Sequence, residues 1–137
     1  MEALDDLLAR CGFVKRDSFN ADFPSFEHSV GFTLPMDYEY YLKKYYPFEG
    51  FIGDEYVVLY DLNTLLILNK NSSDGATRAM LIGSNGASEN IGIQINDAEN
   101  YQLVIAQYLS DVKDHIVIGA SFTNMLERLI NGVNWFK

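Results

Sequence analysis

The sequence predicts an α+β domain with a mostly antiparallel sheet, flanked by N-terminal helices and a C-terminal helix. Apolar residues recur at helical spacing near both ends of the chain, from Leu4 to Cys11 and from Phe122 to Ile130. Between those ends lie several short runs of strand character, separated by turn residues. Helices that bracket a run of strands are the mark of segregated α and β segments. At 137 residues the chain is about one domain long, and a domain of that size buries roughly two thirds of its unfolded surface. Residues 1–137 are read as a single domain, without internal repeat, linker composition or low-complexity tract.

The elements follow in order. Leu4, Leu7, Leu8 and Cys11 form the apolar stripe of a short helix over 2–11, ended by Gly12. Pro24 to Val30 can form a helical turn before Gly31. In "GFTLPMDYEYYLKKYYP", Pro35 suits a first helical turn, Asp37 sits favourably near a helix N-terminus, and Pro47 marks the stop. Tyr38, Tyr41, Leu42 and Tyr45 share one face of that helix, which reads as core, whereas Tyr40, Lys43 and Lys44 lie towards the other. Val57 to Tyr60 reads as a buried strand, and Asp61 as the N-cap of a short helix, Leu62 to Leu68, that ends in the polar loop "NKNSSDG". Ala79 to Ile82 suits a strand. Ile91, Ile93 and Ile95 alternate with Gly92, Gln94 and Asn96, the period-two pattern of a strand with one buried face. Leu103 to Ala106 and "HIVIG" supply further strands. The last helix carries the stripe Phe122, Met125, Leu126, Leu129 and Ile130, capped by Ser121 and closed by Gly132.

Charge narrows the function classes. The formal net charge is −9, unevenly spread: residues 1–45 hold eight acids against five bases, residues 46–112 nine against two, and residues 113–137 two against three. The acidic middle repels phosphate backbones and attracts basic proteins, so no direct nucleic-acid ligand is expected. Cys11 stands alone and cannot form an intramolecular disulfide, and the first twenty residues mix acids and bases where a secretory signal would need an apolar core. A cytoplasmic location is therefore expected. No stretch approaches the roughly 18–20 apolar residues that cross a bilayer, so no membrane partner is expected either.

The chemical motifs fail one at a time. Gly83 and Gly86 in "LIGSNGASENIGIQIN" would suit a phosphate loop only at a strand-to-helix turn. Asn85-Gly86 is a hairpin signal and a β-alternating run follows, so the stretch reads as strand, a loop of roughly eight residues, and strand. "GASFT" at 119–123 lacks the second glycine of a nucleophile elbow and any later histidine. His28, His115 and Cys11 make no metal-ligand pattern. "DLNTLLILNKNS" from Asp61 begins like a calcium loop, but Leu65, Leu66 and Ser72 occupy positions that need an oxygen ligand, a glycine and a glutamate. Asp54 and Glu55, adjacent on a strand, would point to opposite faces and share no reaction site. No catalytic residue, cofactor or metal is expected.

Three separated segments carry a family resemblance: "EHSVGFTLPMDYEYYL" at 27–42, "LIGSNGASENIGI" at 81–93 and "ASFTNMLERLING" at 120–132. Together and in this order they resemble the SUKH superfamily, which includes bacterial toxin-immunity proteins and fungal cell-wall-synthesis regulators. The resemblance covers about residues 25–132. It implies an α+β fold in which Leu34, Pro35, Gly83, Gly86 and Phe122 occupy signature positions that serve packing and turns. It also implies function through a surface, the family not being known for an active site. The expectation is a non-enzymatic immunity protein that binds and neutralises a cognate toxin domain through an acidic surface, the toxin being of nuclease type, whose grip on phosphate makes it basic. The alternative is a scaffold or regulator similar to the fungal members. From charge and loop placement, the expected contact residues are Asp54, Glu55, Glu89, Asp97 and Glu99, with Tyr40 as an aromatic anchor.

Overall fold

The computed structural model describes residues 2–17, 19–70, 79–95, 100–109 and 112–136. Three helices come first: α1 (Glu2–Arg10), α2 (Phe23–Val30) and α3 (Met36–Lys44). A hairpin of β1 (Glu49–Ile52) and β2 (Glu55–Leu59) leads into α4 (Leu62–Asn69). Then come β3 (Ala79–Ser84), β4 (Asn90–Ile95), β5 (Tyr101–Ala106), a short 3-10 turn (Val112–Asp114), β6 (Ile116–Gly119) and α5 (Phe122–Ile130). The six strands form one sheet in sequence order, every neighbour antiparallel. No helix among the described residues is long and apolar enough to cross a membrane.

Local chemistry fixes the helix ends. Asp22 starts α2 by accepting from the Ser25 amide at 3.0 Å, and Gly31 ends it in the left-handed region at φ 68°. Asp61 accepts from the Thr64 amide at 2.8 Å to start α4, and Ser121 from the Asn124 amide at 2.9 Å to start α5. Each satisfies an amide that a helix N-terminus leaves without an intrahelical partner.

One apolar cluster joins the helices to one face of the sheet. Phe122, Met125, Leu126 and Leu129 of α5 are buried against Ile52, Val57, Ile93 and Leu103, with Leu4, Leu7 and Leu8 of α1 and the α3 tyrosines closing the rest. Aromatic rings meet at favourable angles: Tyr38 and Phe122 edge-on at 5.3 Å, Phe13 and Phe48 stacked at 4.3 Å. The tyrosine stripe read from the sequence is core, since Tyr38, Tyr41, Leu42 and Tyr45 are all buried.

The structure differs from the sequence reading in four places. β1 was not foreseen. β4 is buried on both faces: Ile91 and Ile93 face the core, but Gly92 and Gln94 are buried too. Leu109 packs over Gly92, where an added Cβ would lie 2.7 Å from a Leu109 methyl, and Gln102 donates to Gln94 at 2.8 Å. The β3–β4 connection is Asn85–Glu89, five residues and not eight, because Gly83, Ser84 and Asn90 all belong to strands. Asp54 lies in a turn, so it and Glu55 are not adjacent strand residues. The polar loop expected at 69–75 falls largely outside the described residues.

Asn69 performs a task the sequence does not announce. β2 ends at Leu59, which pairs with Gly83, and the backbone of Leu81 further along β3 needs another partner. The Asn69 side chain supplies it: its Oδ1 accepts from the Leu81 amide and its Nδ2 donates to the Leu81 carbonyl, both at 2.8 Å. A second donation reaches the Leu65 carbonyl at 2.9 Å. One buried amide thus satisfies both backbone groups of Leu81 where β2 has already ended, and fastens α4 to β3. Gly83 stands at the bulge just beyond, where an added Cβ would collide with the Val58 carbonyl oxygen.

On the helical side, the Asp5 carboxylate accepts from the Tyr45 hydroxyl at 2.6 Å and the Tyr40 hydroxyl at 2.8 Å, with Lys15 at 3.9 Å. The Tyr45 bond, then the Tyr40 bond, hold Asp5 below the usual carboxylate range in spite of partial desolvation.

Two outcomes follow. Asn69→Leu keeps the branched outline of the side chain but strands both Leu81 groups, and should cost about 2–4 kcal/mol in urea denaturation at neutral pH. Because Asp5 titrates lower in the folded chain than in the unfolded one, its stabilisation is present above the unfolded pKa and lost as pH falls through the folded value. The wild-type urea midpoint should therefore fall between about pH 6 and pH 3 by more than that of Asp5→Asn.

Candidate protein-binding surface

Antiparallel order brings turns distant in sequence to one end of the sheet. Ile52 pairs with Glu55 beside the β1–β2 turn, Ser84 pairs with Val58 and Asn90, and Asn90 with Ala106. The Gly53-Asp54 turn, the Asn85–Glu89 loop and the start of the β5–β6 connection therefore share that end. The loop also touches the β1–β2 hairpin directly. Gly86 has φ 79°, and an added Cβ there would sit 2.6 Å from the Tyr56 ring.

Tyr56 and Phe51 are directly opposite across the hairpin, edge to face at 5.1 Å. Phe51 is 68 % exposed, unusual for a phenylalanine, and the Tyr56 hydroxyl donates to the Glu49 carboxylate at 2.6 Å. The exposed Phe51 and half-buried Tyr56 thus share this end of the sheet with three carboxylates: Glu49 on the hairpin, Asp54 in its turn and Glu89 in the adjoining loop. Among the described residues none of these three acids forms an ion pair.

The acids differ in how firmly they are held. Glu89 accepts from Asn85 Nδ2 at 2.8 Å and Ser88 Oγ at 2.9 Å. Those two bonds, the Asn85 one foremost, keep its carboxyl below the ordinary glutamate range. Asn85 Oδ1 in turn accepts from the Ala87 amide at 3.0 Å, Ser84 Oγ from the Gly86 amide at 3.1 Å, and the Glu89 carbonyl from the Asn85 amide at 3.1 Å. The loop organises itself. Asp54 is exposed and has no hydrogen bond or ion pair among the described residues.

The other expected contact residues are placed differently. Glu55 lies on the core side of β2, where its Oε2 accepts from the Trp135 amide at 2.9 Å, so it fastens the chain after α5. Tyr40 is half-buried on α3, and its hydroxyl is committed to Asp5 of α1. Asp97 and Glu99 lie outside the described residues; the flanking pair Ile95 and Tyr101 is at the opposite end of the sheet. Glu49 and Phe51 were missed by sequence reasoning, although Gly53-Asp54 between two aromatic-bearing runs is a hairpin signal that could have found them.

The signature positions read from the resemblance have structural duties here. Leu34 is buried and its amide donates to Glu27 Oε2 at 2.7 Å, Pro35 precedes α3, Gly83 and Gly86 serve the bulge and loop, and Phe122 is fully buried. Residues 83–90 join two antiparallel strands and not a strand to a helix, so their amides do not form a phosphate cradle at a helix N-terminus. Comparison with known proteins finds no matching family model and no matching curated protein.

Gly86→Ala tests whether the loop is fitted to the hairpin. It must adopt a left-handed backbone and displace Tyr56, and should lower stability by about 1–3 kcal/mol. Heteronuclear NMR should show shifts centred on Tyr56 and Glu89.

Proposed function

We propose that this chain is a non-enzymatic immunity protein that acts in the cytoplasm, binding a cognate basic toxin domain of nuclease type and neutralising it. The observation that supports the reading is that Glu49, Asp54 and Glu89 share one end of the sheet with the exposed Phe51 and its half-buried neighbour Tyr56. The net charge of −9 and the resemblance to the SUKH superfamily support it.

The chemistry divides the labour. Carboxylates in water attract a basic partner over roughly a Debye length, which raises the association rate and sets approach. Affinity comes from a few desolvated anchors, and a rigidly held aromatic ring ordered by its neighbour is suited to that. Phe51 is the proposed anchor, oriented by Tyr56, which Glu49 orients in turn. A toxin covered at its phosphate-binding groove by this surface cannot admit nucleic acid.

Co-expression pull-down with basic nuclease domains should recover the partner, and surface plasmon resonance then separates the two contributions. The association rate should fall about tenfold or more as ionic strength rises from about 50 to about 500 mM. Asp54→Lys with Glu89→Lys should slow association with little change in dissociation. Phe51→Ala should speed dissociation about ten- to a hundredfold. An association rate flat in salt would sink the electrostatic account.

A further inference from the structure

A second feature lies on other elements and does not rest on the toxin-binding reading. Between the segment after α1, the start of α2 and the start of α4 is a cleft of about 600 Å³, within the range that takes a small-molecule ligand. Its walls are mainly apolar, with Phe19, Phe26, Tyr46, Leu62 and Leu66 among them. A cation is built into that wall. The Arg16 guanidinium lies 4.1 Å from the centroid of Phe19 and 5.1 Å from that of Tyr46.

Arg16 is held and makes no direct ion pair among the described residues, although, after the Thr64 hydrogen bonds, its charge is one of the influences that keep the Asp61 carboxyl low. Its amide donates to the Lys44 carbonyl at 3.0 Å and its Nε to the Tyr45 carbonyl at 2.9 Å, which fixes both backbone and side chain to the end of α3. Two aromatic rings lie against the guanidinium. What remains is the edge carrying the two Nη groups, the edge that pairs with carboxylates. Among the described residues Arg16 forms no ion pair.

Two carboxylates line the same cleft, but both are committed to other donors. Asp22 accepts from the Ser25 amide through Oδ1 and the Ser25 hydroxyl through Oδ2. Asp61 accepts from the Thr64 amide through Oδ1. They cap helices, and as part of the cleft lining they repel surplus negative charge. An oriented arginine in an apolar cleft therefore calls for a ligand with one carboxylate and an apolar body, and the two caps disfavour a second.

We propose that this cleft is a binding site for a small amphipathic monocarboxylate, an alkyl or aryl carboxylic acid, whose carboxylate takes the Nη edge of Arg16 and whose apolar body lies against Phe26, Leu62 and Leu66. An alkyl chain and an aryl ring are two sources of one chemistry, so both are tested. The full chain, labelled with nitrogen-15, is titrated with octanoate, 3-phenylpropionate, octan-1-ol, octylamine and octanedioate. Amide shifts and the Arg16 Nε–H signal are followed.

Octanoate or 3-phenylpropionate should saturate with shifts confined to Arg16, α2 and the first turn of α4. Octan-1-ol, octylamine and octanedioate should each bind about tenfold more weakly or worse. Arg16→Gln, checked for retained fold by its spectrum, should bring octanoate down to the level of octan-1-ol. The ligand series on the wild-type chain decides the matter even where that variant does not fold. The proposal is overturned if octan-1-ol or octylamine binds as well as octanoate, if shifts centre elsewhere, or if neither carboxylate binds by about 10 mM. None of these results bears on toxin binding, which salt and Phe51→Ala test separately.

Discussion

The fold depends on the last helix in the chain. A six-stranded meander buries nothing by itself, because strands that pair only with their sequence neighbours make a sheet whose faces remain wet. α5 lays Phe122, Met125, Leu126 and Leu129 on one face, while its other neighbours are α1 and α3. Phe122 sits between Tyr38 at 5.3 Å and Tyr41 at 5.2 Å, so α1 and α3 reach the sheet largely through α5, whereas α2 packs on α4. A polar tie sets the register: Asp37 Oδ2 accepts from the Thr123 amide at 2.9 Å and hydroxyl at 2.7 Å, while Oδ1 accepts from the Tyr38 amide at 2.8 Å. One carboxylate thus serves donors at the starts of two helices eighty-six residues apart.

What the sequence revealed follows from how each element is buried. α5 was legible because it has one wet face and one dry face, and a helical stripe with a serine before it and a glycine after it records that directly. The α3 tyrosines were legible for the same reason. β4 was misread because alternation implies one wet face only when nothing covers the polar side. Gly92 is covered by Leu109, which follows it by seventeen residues, and Gln94 by its cross-strand partner Gln102. β1 escaped because it is an edge strand whose outward residues, Glu49 and Phe51, carry no buried pattern. Asn69 escaped too, since an asparagine that satisfies backbone groups where β2 has already ended looks in sequence like the start of a polar loop.

The candidate surface was legible in its charge and illegible in its geometry. Asp54 and Glu89 were chosen as acids of the middle of the chain, Asp54 being read on a strand; it lies in a turn, and the meander puts that turn and the Glu89 loop at one end. Glu55, the first residue of β2, lies on the side that Val57 and Leu59 bury and is occupied by the Trp135 amide. Tyr40 looked like an outward tyrosine, but a hydroxyl at the helix flank has reached a neighbouring helix's carboxylate. Such assignments depend on which partner lies across a gap in space, and a single chain of letters carries no record of that.

The self-bonded Asn85–Glu89 loop has a consequence for how the acidic end can act. A loop that already satisfies its own donors through Asn85, Ser84 and Glu89 loses little freedom when a partner arrives, so less of the interaction is offset by ordering. The same bonds occupy both oxygens of Glu89, which therefore contributes its field more readily than a new direct ion pair. Asp54 is the reverse, unengaged and exposed, with a carboxylate that is available for contact at the cost of fixing one short side chain. The exposed ring between them needs no such choice, since Phe51 is already set against Tyr56. On the proposed reading, a surface arranged in this way would attract through charges that are mostly held in place, and grip through an apolar group that is held as well.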